Sequence, residues 1–186
     1  MSPSLHSTIT AQPPSPVQIA IGLGANIGDR VAALNAGVRH LEKVADNIAC
    51  SSVFESPPLD CEKTAGPFLN MVLTGTTQRS PIELLAHCQD MEARMGRTPR
   101  RMRTTGSFQS RKLDLDILRY GDFNCTTPEL ILPHPELRFR PFVLLPLAQL
   151  MPDWQIDGGP SLADLATVFR DRGCTIHPCE LRGSEE

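Results

Sequence analysis

Arg111-Lys112-Leu113-Asp114-Leu115-Asp116-Ile117-Leu118 is the stretch on which the fold turns. Leu113, Leu115 and Ile117 alternate with Asp114 and Asp116, and strict alternation is the pattern of a strand that buries one face. Both carboxylates therefore project from the other face. Two residues apart on a strand, their Cα atoms stand about 7 Å from each other, where like charges repel by about 2 kcal/mol at an effective dielectric of 20. A cation between them removes that cost, and carboxylates so spaced can share one or two divalent metals that clamp a phosphate chain. The other reading is a solvated polar face on an edge strand. The neighbouring segments decide between the two.

Upstream, positions 97–112 carry Arg97, Arg100, Arg101, Arg103, Arg111 and Lys112, with no acid and with Thr, Gly and Ser between them. A connection longer than about 12 residues without periodicity of its own is usually a functional lid or a disordered insertion, and the charge favours a lid. Cations tethered at the entrance to paired carboxylates suit a polyphosphate with its magnesium: the aspartates hold the ion and the arginines take the remaining oxygens.

With 186 residues, the chain has the size of one domain that buries roughly 70% of its unfolded surface. A net charge of −3 gives no general affinity for nucleic acid, which makes the local basic segment more informative. The cysteines at 50, 61, 88, 125, 174 and 179 form no C-x-x-C pair, and nothing at the N-terminus has the form of a secretory signal. They read as reduced thiols of a cytoplasmic protein. Cys174, His177 and Cys179 offer three metal ligands where a structural zinc needs four, and they are assigned to a tail. No apolar run approaches the length of a membrane span.

Residues 1–16 are rich in Ser and Pro without apolar periodicity, so a disordered tail is expected there, a folded domain over 17–172 and a second tail over 173–186. An apolar run from Val17 to Leu23 breaks into Gly22-Leu23-Gly24-Ala25-Asn26-Ile27-Gly28. The expected elements are a strand, a sharp glycine turn and a helix capped by Asp29 with Val31, Leu34, Val38 and Leu41 on its apolar stripe. The glycine spacing departs from the dinucleotide pattern G-x-G-x-x-G, because the last gap holds three residues. Asn26 is available to hydrogen-bond a loop or a ligand.

A second strand is expected from Ile48 to Phe54, followed by an extended loop that starts at Ser56-Pro57-Pro58-Leu59 and runs to about Pro67. In the next strand, from Phe68 to Thr74, Leu69, Met71 and Leu73 share one face, and Phe68, Asn70 and Val72 the other. An aromatic ring beside a carboxamide suits a flat, hydrogen-bonding heterocycle; a strand-end Phe packed on a core is the equal alternative. Ser80-Pro81-Ile82-Glu83 has the form of a capping box, and Gly96 that of a helix stop. The helix between them carries Ile82, Leu85, Cys88 and Met95 on its apolar stripe, with Gln89 and Glu92 on a polar flank. Farther on, His134 and Arg140 bracket a short turn that could deliver both to one ligand, or be a loop histidine and a surface arginine. Ser161 with Asp164 caps a last helix that stops near Gly173. The order β, α, β, β, α, β predicts an α+β fold: a ferredoxin-like βαββαβ sheet with helices packed on one face, plus C-terminal additions. That order fixes no function.

Several pieces, taken in their order and spacing, resemble the 6-hydroxymethyl-7,8-dihydropterin pyrophosphokinase family of folate biosynthesis. They are Gly22 to Arg30, Ser56-Pro57-Pro58-Leu59, Phe68-Leu69-Asn70, Glu92 with Gly96-Arg97, Arg111 to Asp116, Pro133-His134, and Arg140-Pro141-Phe142-Val143-Leu144. The resemblance covers about Val17 to Trp154. It implies transfer of diphosphate from ATP to the hydroxymethyl group of the pterin, with release of AMP. It further implies two magnesium ions on Asp114 and Asp116, and catalytic roles for those aspartates with Arg97 and Arg111. The implied nucleotide set is Gln89, Glu92, Arg97, Arg111, Ile117, His134 and Arg140. The implied pterin set is Ser56, Pro57, Pro58, Leu59, Phe68, Asn70 and Phe142. The partners it implies are the two small-molecule substrates, with no nucleic acid and no membrane; a monomer is the default.

The chain departs from the family in the basic segment, where many members carry an Arg-Trp pair and this chain has Ser107-Phe108-Gln109-Ser110-Arg111, its one tryptophan being Trp154. Asp60 also stands where a glycine is common. Two other readings compete. An RNA-binding module on the same topology would expose aromatics and avoid paired acids on its binding face, whereas aromatic residues are 5% here and the aspartates would repel RNA. A catalytically impaired relative that still binds pterin or ATP is the other.

Overall fold

In chain order the elements are β1 (Val17–Ala25), α1 (Arg30–Leu41), β2 (Asp46–Cys50), β3 (Phe54–Ser56), β4 (Phe68–Thr77), α2 (Pro81–Arg94), β5 (Asp114–Tyr120), β6 (Cys125–Thr126), β7 (Ile131–Leu132), α3 (Pro141–Leu150), a 3-10 turn at Ile156–Gly158, α4 (Leu162–Phe169) and β8 (Thr175–Ile176). The computed structural model describes residues 9–58, 66–96, 110–169 and 172–179. The main sheet runs β5-β1-β4-β3-β8, with β2 also on β4, and every pairing is antiparallel. The expected βαββαβ order is observed, with its second strand divided into β2 and β3. Among the described residues no helix is long and apolar enough to cross a membrane.

Alternation along β1, β4 and β5 sorts side chains onto two faces. Ile19, Ile21, Leu23, Leu69, Met71, Leu73, Leu113, Leu115 and Ile117 join one core with Leu34 and Leu41 of α1 and Leu84, Cys88 and Met91 of α2. Each such Leu or Ile contributes about 1.5–3 kcal/mol relative to exposure. Ala20, Val72 and Leu118 face the other way, into a second core with Leu144 and Leu147 of α3 and Leu162 of α4. The βαβ helices thus share one face, as expected, and the C-terminal additions cover part of the opposite one. The part they leave open is the site.

Local chemistry explains the helix starts. The Asp29 side chain accepts from the Ala32 N–H at 2.9 Å, and at the head of α2 Ser80 and Glu83 form the reciprocal capping box with Pro81 at the first turn. The apolar stripe of α2 is centred on Leu84, Cys88 and Met91, with Ile82, Leu85 and Met95 at its margins, so it is rotated from the expected one.

The expected strand from Ile48 to Phe54 is two strands. Ser51 receives the Val72 N–H on its hydroxyl (3.0 Å) rather than on its carbonyl, and the Ser52 N–H turns to the Gln149 side chain at 2.9 Å. The ladder to β4 therefore breaks and resumes at Phe54. The glycine-rich stretch also differs from expectation: β1 continues through Ala25, so Gly22 and Gly24 lie inside the strand. Only Gly28, at φ +70°, makes the turn that needs a glycine. Described residues on both sides of the expected domain join the fold as well. Ile9 is 1% exposed within the helix-side core, and β8 pairs with β3.

Between α1 and α2 the His40 and His87 rings stack with centroids 3.9 Å apart. Each Nε2 lies near the other residue's carbonyl, at 3.1 and 2.9 Å, so each ring donates from Nε2. Burial lowers the pKa of His40; the hydrogen bond to the His87 carbonyl opposes it most, the charges of His87 and Lys43 lower it further, and that of Asp90 raises it. The unfolded chain therefore binds this proton more tightly than the folded one, and the stability present above the ordinary value of 6.5 is lost as pH falls below it. Urea midpoints should drop between pH 7.5 and 5.5, and His40→Gln should flatten that drop. An equal drop in the variant would assign the effect to other groups.

Candidate active site

Gly22 and Gly24 lie at the centre of the open face of the sheet. On one side Gly22 is paired with Asp116 and Gly24 with Asp114; on the other Gly24 is paired with Asn70 and Gly22 with Val72. Neighbouring strands are about 4.8 Å apart, so the aspartates and Asn70 face each other across a floor that carries no side chain. A Cβ built on Gly24 would stand 3.2 Å from Asn70 Oδ1. The glycines keep a flat trough open between a carboxylate pair and a carboxamide.

This trough is a cavity of about 250 Å³ lined by Ser56, Pro57, Phe68 and Asn70 at one end, Arg111, Asp114 and Asp116 at the other, and Glu136, Phe139, Arg140 and Phe142 along its rim. Asn70 is 6% exposed and Ser56 3%, and the Asn70 amide donates to Ser56 Oγ at 2.9 Å. That bond fixes the amide orientation and leaves its oxygen side over Gly24. The pairing of Ser56 with Phe68 sets the aromatic beside them.

At the aspartate end, Asn26 acts as a clamp. Its Oδ1 accepts from the Arg111 N–H at 2.6 Å, its Nδ2 donates to Ser110 Oγ at 3.0 Å, and its N–H donates to the Arg111 carbonyl at 3.0 Å. The end of β1 thereby pins the point where the basic segment re-enters the fold. The Arg111 guanidinium in turn pairs with Asp114 Oδ2. The alternative open at the sequence level, loop or ligand, resolves to the loop for Asn26.

A register shift between Ala20 and Ile21 inserts Leu118 as an extra residue in β5. Bulges of this kind re-aim side chains beside active sites, and here Leu118 joins the second core on the same face as the aspartates and lines the cavity beside them. Behind β5, Glu92 is 4% exposed, and its Oε1 accepts from the Leu115 N–H at 2.9 Å. The carboxylate caps the outer edge of β5, which pairs with no further strand among the described residues. Burial, with Glu92 and Asp116 adding to it, pushes the Cys88 thiol up to about 12, so this cysteine is no nucleophile.

The expected residues divide accordingly. Ser56, Pro57, Phe68, Asn70, Arg111, Asp114, Asp116, Arg140 and Phe142 come together around one cavity. Gln89, Glu92, Ile117, His134 and Pro58 stand outside its lining. Gln89 is exposed on α2, and the Ile117 side chain is in the helix-side core, which leaves only its main chain for a ligand. His134 is tied to the end of β5, its N–H donating to the Leu118 carbonyl at 3.0 Å. Arg97 and Leu59 lie outside the described residues, as do Arg100, Arg101 and Arg103. The sequence reading missed Gly22 and Gly24 as a floor, and Glu136 and Phe139 as rim. The one signal for the rim was its position between His134 and Arg140.

The family model for 7,8-dihydro-6-hydroxymethylpterin-pyrophosphokinase (HPPK) matches residues 20–152, a span that contains every lining residue of the cavity. The chain belongs to the HPPK family. It is 40% identical over 132 residues to the Bacillus subtilis 2-amino-4-hydroxy-6-hydroxymethyldihydropteridine pyrophosphokinase, covering 70% of this chain and 75% of the relative. With the Methylorubrum extorquens enzyme of the same name it shares 36% over 140 residues, 74% of this chain and 85% of the relative. Against the Arabidopsis thaliana folate synthesis bifunctional protein the identity is 32% over 170 residues, 90% of this chain but 34% of that longer one. The crystal structure of wild-type Plasmodium falciparum HPPK-DHPS superposes with a TM-score of 0.69 at 14% identity. The match covers 89% of this chain and 46% of that one, a likeness of fold. The HPPK chain described here is therefore a member of a family of ATP-dependent diphosphotransferases.

Proposed function

We propose that the protein transfers diphosphate from ATP to the hydroxymethyl group of 6-hydroxymethyl-7,8-dihydropterin, releasing AMP, in folate biosynthesis. The observation that carries this reading is the glycine-floored trough with a carboxylate pair at one end, Phe68 and Asn70 at the other and Phe142 on its rim. The pterin ring lies between Phe68 and Phe142, its polar edge on Asn70, with Ser56 and Pro57 closing the end. The ATP phosphates lie toward Asp114, Asp116, Arg111 and Arg140.

The donor set fits magnesium. Among the described residues no group of three or more His, Cys, Asp or Glu could hold a metal, and two carboxylates facing an open cavity suit an ion that keeps water and phosphate oxygens as its other ligands. Asp114 and Asp116 would hold two magnesium ions, which when bound supply positive charge to the phosphate oxygens. The chain's own contribution is positioning and cationic stabilisation. The trough aligns the pterin hydroxyl with the β-phosphorus. The new bond joins that oxygen to the β-phosphorus while the bond to the α–β bridging oxygen breaks. AMP leaves with the bridging oxygen and the hydroxyl proton is lost to solvent. Arg111, released from Asp114, takes phosphate charge that develops in this step.

Purified protein should form AMP from ATP only when both the hydroxymethyl dihydropterin and magnesium are present. AMP formation indifferent to the pterin would overturn the reading, and equal rates with excess chelator would remove the magnesium sites.

A further inference from the structure

Phe139 is 70% exposed, the most exposed of the large apolar residues described. Ile27, Ile131, Val168 and Ile176 are also exposed, but none of them lines the cavity, and Phe139 does. Isolated surface hydrophobes need no explanation. An aromatic ring at the mouth of a pocket that already contains Phe68 and Phe142 is a different case.

The backbone under this ring is fixed. Leu137, two residues earlier, is 1% exposed in the second core. The Phe139 N–H donates to the Glu136 carbonyl at 3.0 Å, and the Arg140 carbonyl receives the Val143 and Leu144 N–H groups at 3.0 and 2.9 Å as α3 begins. A rigid turn therefore holds the ring out of both cores and at the rim. Its side chain supports neither core, so the apolar surface it offers is available to whatever fills the trough.

We infer that Phe139 is a ring-contacting specificity residue of this site, closing over a flat heteroaromatic ligand in the cavity. The inference rests on the pyrophosphokinase reading, under which both substrates carry such a ring. Burial of an exposed phenyl face against a planar ring contributes to binding without touching the reacting phosphates. The effect belongs in affinity and KM, with kcat retained.

The test is calorimetric titration of wild type, Phe139→Ala and Phe139→Trp with a non-hydrolysable ATP analogue and magnesium, and then with the hydroxymethyl dihydropterin. In Phe139→Ala the dissociation constant for at least one ligand should rise about five- to tenfold, Phe139→Trp should restore it, and the thermal midpoint should not move. A rise confined to the pterin assigns the ring to that substrate; a rise confined to the analogue assigns it to adenine. Constants within twofold of wild type for both ligands would overturn the inference while leaving the proposed activity standing. Wild-type protein that binds neither ligand would overturn the activity and this inference together.

Discussion

Asp116→Ala is expected to lower the rate of AMP formation by on the order of 10³-fold or more while the protein remains folded. The side chain projects from the open face of β5 into the cavity and belongs to neither core. Its removal costs no packing. Its partner across the strand pair is Gly22, so the facing position on β1 has no side chain to fill the gap. The remaining carboxylate, Asp114, is engaged by Arg111, and a single carboxylate beside an arginine offers little to a divalent cation. The expected pattern is loss of turnover and of the magnesium dependence of nucleotide binding, with an unchanged far-UV spectrum and urea midpoint. Retained AMP release in a coupled assay would count against the role proposed for Asp116. Asp116→Asn separates charge from shape: it keeps the size of the group and should be nearly as inactive.

Gly24→Val should remove pterin binding, with about a 100-fold or larger rise in its dissociation constant. The first added atom would already stand 3.2 Å from Asn70 Oδ1, tighter than ordinary contact, and the two methyl groups would occupy the trough floor. Asn70 cannot retreat, because its amide is bonded to Ser56 Oγ and the pair is buried. The valine backbone fits a strand without strain, so β1 should keep its register and the protein its fold. Nucleotide affinity is expected to fall less than pterin affinity, because Asp114, Asp116 and Arg111 approach from the other side. Pterin binding within threefold of wild type, measured by titration in the presence of the ATP analogue, would show that the ligand does not lie over this floor.

The two variants isolate different halves of one surface, and the division follows from the register. A strand pair set by the cores beneath it carries whatever lies on its upper face into alignment. One residue of slippage would exchange Asp114 and Asp116 for Leu113 and Leu115. The stability of the helix-side core and the geometry of the site are thus linked through the same alternation, and a core variant that loosens register should damage activity before it unfolds the chain.

Much of this was legible in the residues alone. The alternation of Leu113, Leu115 and Ile117 with two aspartates determined which face of β5 is buried, and Phe68, Asn70 and Val72 determined the same for β4, because side-chain direction along a strand depends only on parity. The caps at Asp29 and Ser80 were equally readable, since capping is a contact between residues two or three apart. What only the tertiary structure decided involves partners far apart in sequence. Glycines in a run look like a turn until pairing with both β4 and β5 extends β1 through them and turns Gly22 and Gly24 into the floor of a cavity. Asn26 and Arg111 meet only because β1 and β5 are neighbours, and Glu92 reaches the Leu115 N–H only because α2 lies behind that edge. Ile9 and β8 read as tail because local composition cannot reveal a long-range contact that outweighs the entropy of ordering a terminus. The sequence determined which side chains share a face; the folded sheet determined which faces meet.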